Sequence, residues 1–87
     1  MTFFDAIDPR TLRTLREGAV IRATYDELGA RRPSGYHTIT GTVTLVTEDA
    51  ERGLRVTLAN VTRTRPSGDV TARSGLVLDG RKIMGLS

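Results

Sequence analysis

From residue 19 onward, apolar and polar residues alternate with a period of two, which is the spacing of a half-buried β-strand. The pattern predicts five strands, at residues 19–25, 36–47, 54–65, 70–78 and 83–86. Segments rich in Gly, Pro, Asp and Ser, which favour turns, separate most of these strands. The order predicts an antiparallel meander.

Within each of the first three strands, the residues that we expect to face the core are spaced two apart. They are Ile21, Ala23, Tyr25, Ile39, Gly41, Val43, Leu45, Leu54, Val56 and Leu58. Thr38, Thr40, Thr42 and Thr44 line the opposite face of the second strand. In the third strand Val61, Arg63 and Arg65 have the opposite parity, so either a bulge near Asn60 resets the face or these side chains point outward. Gly41, in mid-strand, marks a bend or bulge.

A short helix is predicted from Asp8 to Gly18, with Asp8 as its cap, Pro9 in its first turn and Gly18 at its C-terminal end. It is too short to be stable alone, so we expect it to pack on the sheet, with Phe3, Phe4 and Ile7 helping to anchor it. The fold class is therefore mainly β. A single domain spanning 1–87 has a short N-terminal helix followed by a strongly bent, five-stranded antiparallel barrel.

At the C-terminal end, Asp79-Gly80 stands between two apolar strands. Asp-Gly in this setting predicts a type I′ hairpin turn, in which both central residues have a positive φ. We therefore expect strands 70–78 and 83–86 to be joined by a tight hairpin.

Composition excludes several classes. With no Cys and one His, His37, neither a disulfide framework nor a metal site is expected. No catalytic motif is present, and the carboxylates at Glu48, Asp49 and Glu51 fit a solvated turn, so we expect a non-enzymatic protein without a cofactor. No apolar run approaches the ~20 residues of a membrane span, and the first residues do not resemble a signal peptide. We expect a soluble, cytoplasmic protein.

Thirteen basic residues stand against 10 acidic ones, giving a net charge of +3, and all the basic residues except Lys82 are Arg. In a meander, the loops after strands one and three emerge at one end, where we expect a basic surface of Arg31, Arg32, Arg63 and Arg65. The turns after strands two and four should lie at the other end. Such arginines can bind phosphate, although few aromatic residues are available to stack on bases.

The pattern of helix and strands resembles the Sm/LSm family over nearly the whole chain. Three segments carry the resemblance: 39–43 with its bending Gly41, 51–58 leading into the third strand, and 74–86 as the closing motif. The resemblance implies a five-stranded barrel with an N-terminal helix, assembled into rings that bind RNA. Independently of the resemblance, the small core and two unpaired edge strands predict a homo-oligomer, in which strand 70–78 of one subunit pairs with strand 83–86 of its neighbour.

By the same resemblance, single-stranded RNA would be bound at pore-side loops that carry Arg55, Gly80, Arg81 and Lys82, with Arg52 nearby. Arg55 stands where the family has a base-contacting Asn, and Asp79 replaces the usual Arg before Gly80. Two alternatives remain open. The chain could be a scaffold or viral assembly module of Sm-like fold without RNA binding, or a monomeric SH3-like barrel that binds a peptide.

Overall fold

The computed structural model describes residues 6–87, so the proposed anchoring by Phe3 and Phe4 lies outside the described residues. One short helix precedes five strands: α1 (Pro9–Arg13), β1 (Val20–Tyr25), β2 (His37–Asp49), β3 (Gly53–Thr64), β4 (Val70–Asp79) and β5 (Ile83–Leu86). Two 3-10 turns, Pro33–Gly35 and Gly80–Lys82, precede β2 and β5. The mainly β fold is confirmed.

All strand pairs are antiparallel, and the strand order is β4-β3-β2-β1-β5. β5 pairs with β1 and not with β4, although it follows β4 in the chain. Within the described part of the chain the sheet is therefore open between β4 and β5, so the five antiparallel strands do not close into the predicted barrel. A side-chain hydrogen bond nevertheless links β4 to β1, from the Asp79 N–H to the Tyr25 hydroxyl (3.0 Å).

Bulges decide which residues of the long strands face the core. Asn60 has a φ of 53°, and the β2–β3 register shifts opposite it. Beyond this bulge Val61 and Arg63 are buried, so of the two possibilities left by the sequence the bulge is correct. A second register shift, after Val43, turns Leu45 outward, contrary to expectation.

Gly41 lies where β2 closely approaches β3. A Cβ at this position would lie 3.1 Å from both the Ala59 carbonyl oxygen and the Leu58 Cβ. A larger residue would push the two strands apart, which explains why a glycine occupies this position inside the strand.

The core is formed by the inward faces of all five strands together with Leu12 of α1. Its buried apolar members are Leu12, Ile21, Ala23, Tyr25, Ile39, Val43, Leu54, Val56, Leu58, Val61, Leu78 and Ile83. Full burial of each Leu, Ile or Val side chain contributes roughly 1.5–3 kcal/mol to stability. Burial of this set explains how a chain without disulfides holds its shape.

α1 is shorter than predicted because it ends at Arg13 rather than continuing to Gly18. The predicted start is correct: Asp8 caps the helix by accepting the Arg10 N–H at 2.9 Å, and Pro9 follows it. Gly18 does have a left-handed φ of 90°, but it uses this conformation in the turn into β1, where its N–H donates to the Val43 carbonyl (2.7 Å).

The predicted type I′ hairpin at Asp79-Gly80 is wrong. Asp79 has a φ of −76°, Gly80 has no positive φ, and the chain makes a 3-10 turn that carries it across to β1. Gly80 is required for space instead. A Cβ there would lie 2.8 Å from the Leu54 carbonyl oxygen, closer than real Cβ atoms come, and 3.0 Å from the Leu12 Cδ1.

Candidate nucleic-acid interface

The turn between β2 and β3 is organised by Asp49. Its Oδ1 accepts the backbone N–H groups of Glu51 (2.9 Å) and Arg52 (2.6 Å). Its Oδ2 lies 3.6 Å from Nη2 of Arg55. The hydrogen bond from the Arg52 N–H is the main reason that the pKa of Asp49 is lowered, and the nearby arginines lower it further. Asp49 is thus a fixed anion among the predicted RNA-binding residues.

The turn between β4 and β5 repeats this arrangement with Asp79. Its Oδ1 accepts the Arg81 N–H at 2.9 Å, and the Arg81 guanidinium lies 3.2 Å from both carboxylate oxygens. Burial raises the pKa of Asp79, but the hydrogen bonds and charge of Arg81 outweigh it, so the pKa is lowered overall. The Asp79 side chain both caps the 3-10 turn and neutralises Arg81.

These two turns meet through the sheet, because Arg55 and Asp79 are directly paired in the β3–β4 ladder. We call Asp49, Arg55, Asp79 and Arg81 the Asp–Arg cluster. The Arg55 side chain is about one-third exposed (34%), whereas that of Arg81 is largely exposed (65%). The Nε of Arg55 is buried and has no hydrogen-bond partner among the described residues. The cluster is an alternating, electrically balanced surface rather than a purely basic one.

The other predicted RNA-binding residues have different surroundings. Arg52 is exposed, and no ion pair involves its side chain within residues 6–87. Lys82 donates from Nζ to the Glu27 carbonyl oxygen (3.3 Å), so it is directed to the β1–β2 loop. Gly80 is buried between Leu54 and Leu12 and serves packing. Arg52, Arg55 and Arg81 are therefore gathered around the two aspartates, and Lys82 is not.

The residues of the second predicted basic surface, Arg31, Arg32, Arg63 and Arg65, do not form one exposed patch. Arg32 and Arg65 are exposed, but Arg63 is buried on the inner face of β3, where its Nη2 lies 3.4 Å from Oε2 of Glu27. The Arg63 side chain is only 10% exposed, so it does not belong to an exposed basic surface. The cause is the bulge at Asn60, which turns Arg63 inward.

Arg31, which was predicted to belong to the second basic surface, lies near Arg81 of the Asp–Arg cluster. It lines a pocket of about 360 Å³ under α1 together with Arg81, Leu12 and Leu54. The two loop sets were expected at opposite ends, but the Asp26 N–H donates to the Lys82 carbonyl (2.8 Å) and brings the loops after β1 and β4 together. Pairing of β5 with β1 produces this contact, which a simple meander does not anticipate.

Two residues that position this surface were not singled out as functional from sequence. Tyr25 accepts the Asp79 N–H, and burial is the main cause of its raised pKa. Asp26 is buried and accepts the Arg31 N–H at Oδ2 (2.8 Å), which holds the β1–β2 loop. Alternation did place Tyr25 inward, but nothing local in the sequence indicates the partner of its hydroxyl.

The described residues contain no group of three or more His, Asp or Glu side chains arranged to hold a metal ion. Glu48 contacts Arg13 instead, at 2.6 Å. The single helix that spans residues 9–13 is far too short to cross a bilayer, and no other segment of the described chain forms a helix that could.

No protein-family model matches the chain, and the search of curated proteins found no match.

Proposed function

We propose that this chain is a non-enzymatic assembly module of Sm-like architecture, whose copies form a closed ring by pairing β4 of one subunit with β5 of the next. The observation that carries this proposal is the strand order, which leaves β4 and β5 as the two outer strands of one sheet. An edge strand presents a row of unpaired N–H and C=O groups that can pair with another chain.

β4 is the longer and less protected of the two edges. Its residues 70–75 are all exposed, and it carries two exposed valines, Val70 (62%) and Val77 (52%). It contains no Pro and no Lys, residues that often block pairing at an edge. A strand with apolar residues exposed along a free edge is suited to pair with a second strand.

β5 offers a shorter edge, and its hydrogen bonds define which residues are available. Ser87 and Arg22 exchange both backbone hydrogen bonds, at 2.9 and 3.2 Å. Because consecutive residues of an antiparallel strand point their backbone groups to opposite sides, those of Leu86 are directed away from β1. The Ile83 carbonyl accepts the Ile7 N–H (2.8 Å), so the N-terminal segment covers the beginning of this edge. Residues 84–86 form the free part.

Pairing of β4 with β5 joins two different surfaces, which makes a head-to-tail contact. Such contacts produce closed rings when the rotation between subunits closes, and filaments when it does not. Light scattering and native mass spectrometry at micromolar concentration test the proposal. We expect one discrete multiple of 9.5 kDa. A mass of 9.5 kDa at all concentrations would refute assembly and favour the monomeric, peptide-binding SH3-like alternative.

A second candidate function is binding of single-stranded RNA in the cytoplasm, as part of RNA metabolism. The observation that favours it is the gathering of Arg52, Arg55 and Arg81 on one surface, in a chain of net charge +3. Since two of these arginines are already paired with carboxylates, we expect weak binding through phosphates, with little preference for sequence.

Salt dependence tests this second candidate. Fluorescence anisotropy with a short, mixed-sequence RNA should show affinity falling roughly 20-fold between about 50 mM and about 200 mM salt if about three phosphates are contacted. Binding that does not respond to salt would contradict a phosphate-based mode. Absence of binding at the lower salt concentration would leave the scaffold without RNA as the function of the ring.

A further inference from the structure

We propose that Asp49 and Asp79 compete with phosphate groups for Arg55 and Arg81. Their carboxylates keep the affinity of the Asp–Arg cluster for single-stranded RNA low. The inference rests on the RNA binding proposed above and concerns the strength of that same site. It assigns to the two aspartates a role that is distinct from their role in the turns.

Both carboxylates are held in place, so they cannot swing away from the arginines without loss of other bonds. Asp49 is held by the N–H groups of Glu51 and Arg52. Asp79 is held on both sides: its own N–H donates to Tyr25, and its Oδ1 accepts the Arg81 N–H. A phosphate that approaches either arginine therefore meets a fixed negative charge.

Arg55 is the residue most affected, because it lies between the two aspartates. Asp79 is its direct cross-strand neighbour in the β3–β4 ladder, and Asp49 Oδ2 is 3.6 Å from its Nη2. That distance is long for an ion pair, and the buried Nε has no partner within residues 6–87. The exposed end of the Arg55 guanidinium is thus only loosely paired and could bind a phosphate, but the adjacent carboxylates repel that group.

Arg81 shows the same competition at a more exposed position. Its guanidinium faces Asp79 at 3.2 Å and is also stabilised by the charge of Asp49. Exposed ion pairs contribute little to stability, so removal of the carboxylate charge should free Arg81 without unfolding the protein. Asn can replace Asp79 as the cap of the 3-10 turn because its side-chain oxygen also accepts an N–H.

The test compares Asp49→Asn and Asp79→Asn with Asp69→Asn in the full chain. Asp69 lies in the exposed turn at the opposite end of the β3–β4 hairpin, where its carboxylate contacts Ser67 and pairs with no Arg in the described structure. The three variants change the net charge equally and differ only in position. Anisotropy with a mixed-sequence, single-stranded RNA gives the affinity and its salt slope, and thermal unfolding confirms that each variant is folded.

We expect Asp49→Asn and Asp79→Asn to bind RNA roughly eightfold more tightly than the natural chain at about 50 mM salt, with a salt slope steeper by about 0.7, as one added phosphate contact predicts. Asp69→Asn should change affinity less than about twofold, because distant exposed charges are screened. Addition of Arg55→Ala to Asp49→Asn should abolish the gain.

Three results would overturn the inference. Equal gains in all three variants would show a net-charge effect without local competition. Binding by the natural chain that neither Asp49→Asn nor Asp79→Asn strengthens would refute competition while leaving the RNA-binding proposal intact. Absence of binding by every variant at low salt would refute both, and the assembly proposal would still be judged by its own mass measurement.

Discussion

At the scale of single residues, the two tyrosines differ in whether the buried hydroxyl has a hydrogen-bond partner. The Tyr25 hydroxyl accepts the Asp79 N–H at 3.0 Å and so links β1 to β4, strands that are not neighbours in the sheet. The Tyr36 hydroxyl is also withdrawn from water but has no partner among the described residues. A buried polar group that lacks a partner costs free energy, whereas a paired one is neutral or stabilising.

The two Tyr→Phe substitutions should therefore differ. Tyr25→Phe leaves the Asp79 N–H without its acceptor, and we expect the free energy of unfolding to fall by about 1–3 kcal/mol. Tyr36→Phe removes an unsatisfied group and should leave stability unchanged or slightly raised. Urea unfolding of both variants provides the measurement. Equal losses in the two would mean that the Tyr25–Asp79 hydrogen bond has no special role.

At the scale of elements, the bulge of β3 determines what the sheet buries. Without the extra residue at Asn60, Val61 and Arg63 would continue the outward parity of the strand. With the extra residue, Val61 joins the core, and Arg63 points to the inner face of the sheet, where it pairs with Glu27. One left-handed residue thus removes Arg63 from the predicted basic surface.

Substitution of Asn60 should reveal this constraint. Its φ of 53° is accessible to Asn and Gly but strained for a β-branched side chain. We expect Asn60→Val to lower the free energy of unfolding by about 1–2 kcal/mol, and Asn60→Gly to change it by much less. Thermal or urea unfolding compares the pair. A stable Asn60→Val variant would contradict the bulge geometry.

The contact of α1 with β2 should give the protein an acid-sensitive element. The Arg13 guanidinium donates to both Glu48 oxygens, at 3.1 and 2.6 Å, and this hydrogen bonding is the main reason that the pKa of Glu48 falls below its ordinary 4.5. Because the folded-state pKa is the lower one, the stabilisation is present above pH 4.5 and is lost as the pH falls through the lowered value.

We therefore expect the free energy of unfolding to decline below about pH 4.5, and the decline to be shallower in Glu48→Gln. Glu51→Gln is the matched control, since Glu51 is exposed and forms no ion pair within the described chain. Urea unfolding measured at steps from neutral to acid pH tests this. An unchanged profile in Glu48→Gln would show that other carboxylates govern acid stability.

At the scale of the whole molecule, the open sheet has two edges, and residues 6–87 contain no further strand that closes them. Ile83 would be an unsuitable probe of the β5 edge, because it is fully buried in the core of its own subunit and a charge there would unfold the chain. Exposed residues of β4 report on the edge without disturbing the core.

Val77→Lys should dissociate the proposed ring, because Lys on an exposed edge opposes strand pairing. Val20→Lys is the matched control: Val20 is more exposed (71%), but it lies on β1, outside the proposed β4–β5 contact. We expect a lower mass by light scattering for Val77→Lys alone. Retention of the assembly in Val77→Lys, or its loss in both variants, would count against the β4–β5 contact.

The sequence by itself determined the features that depend on neighbours in the chain. Alternation correctly placed Ile21, Ala23 and Tyr25 inward, and the Asp8-Pro9 pair correctly marked the start of α1. These predictions succeed because strand parity and helix capping are fixed by residues a few positions apart.

Only the tertiary structure decided which distant residues meet. Local pattern joined β4 to β5 in a hairpin, but β5 pairs with β1, and Gly80 is needed for its contact with Leu54. The pairing of Arg55 with Asp49 and the burial of Arg63 likewise follow from sheet register and a bulge. The hydrophobic and electrostatic energies of such contacts depend on distance in space, which the spacing of residues along the chain does not specify.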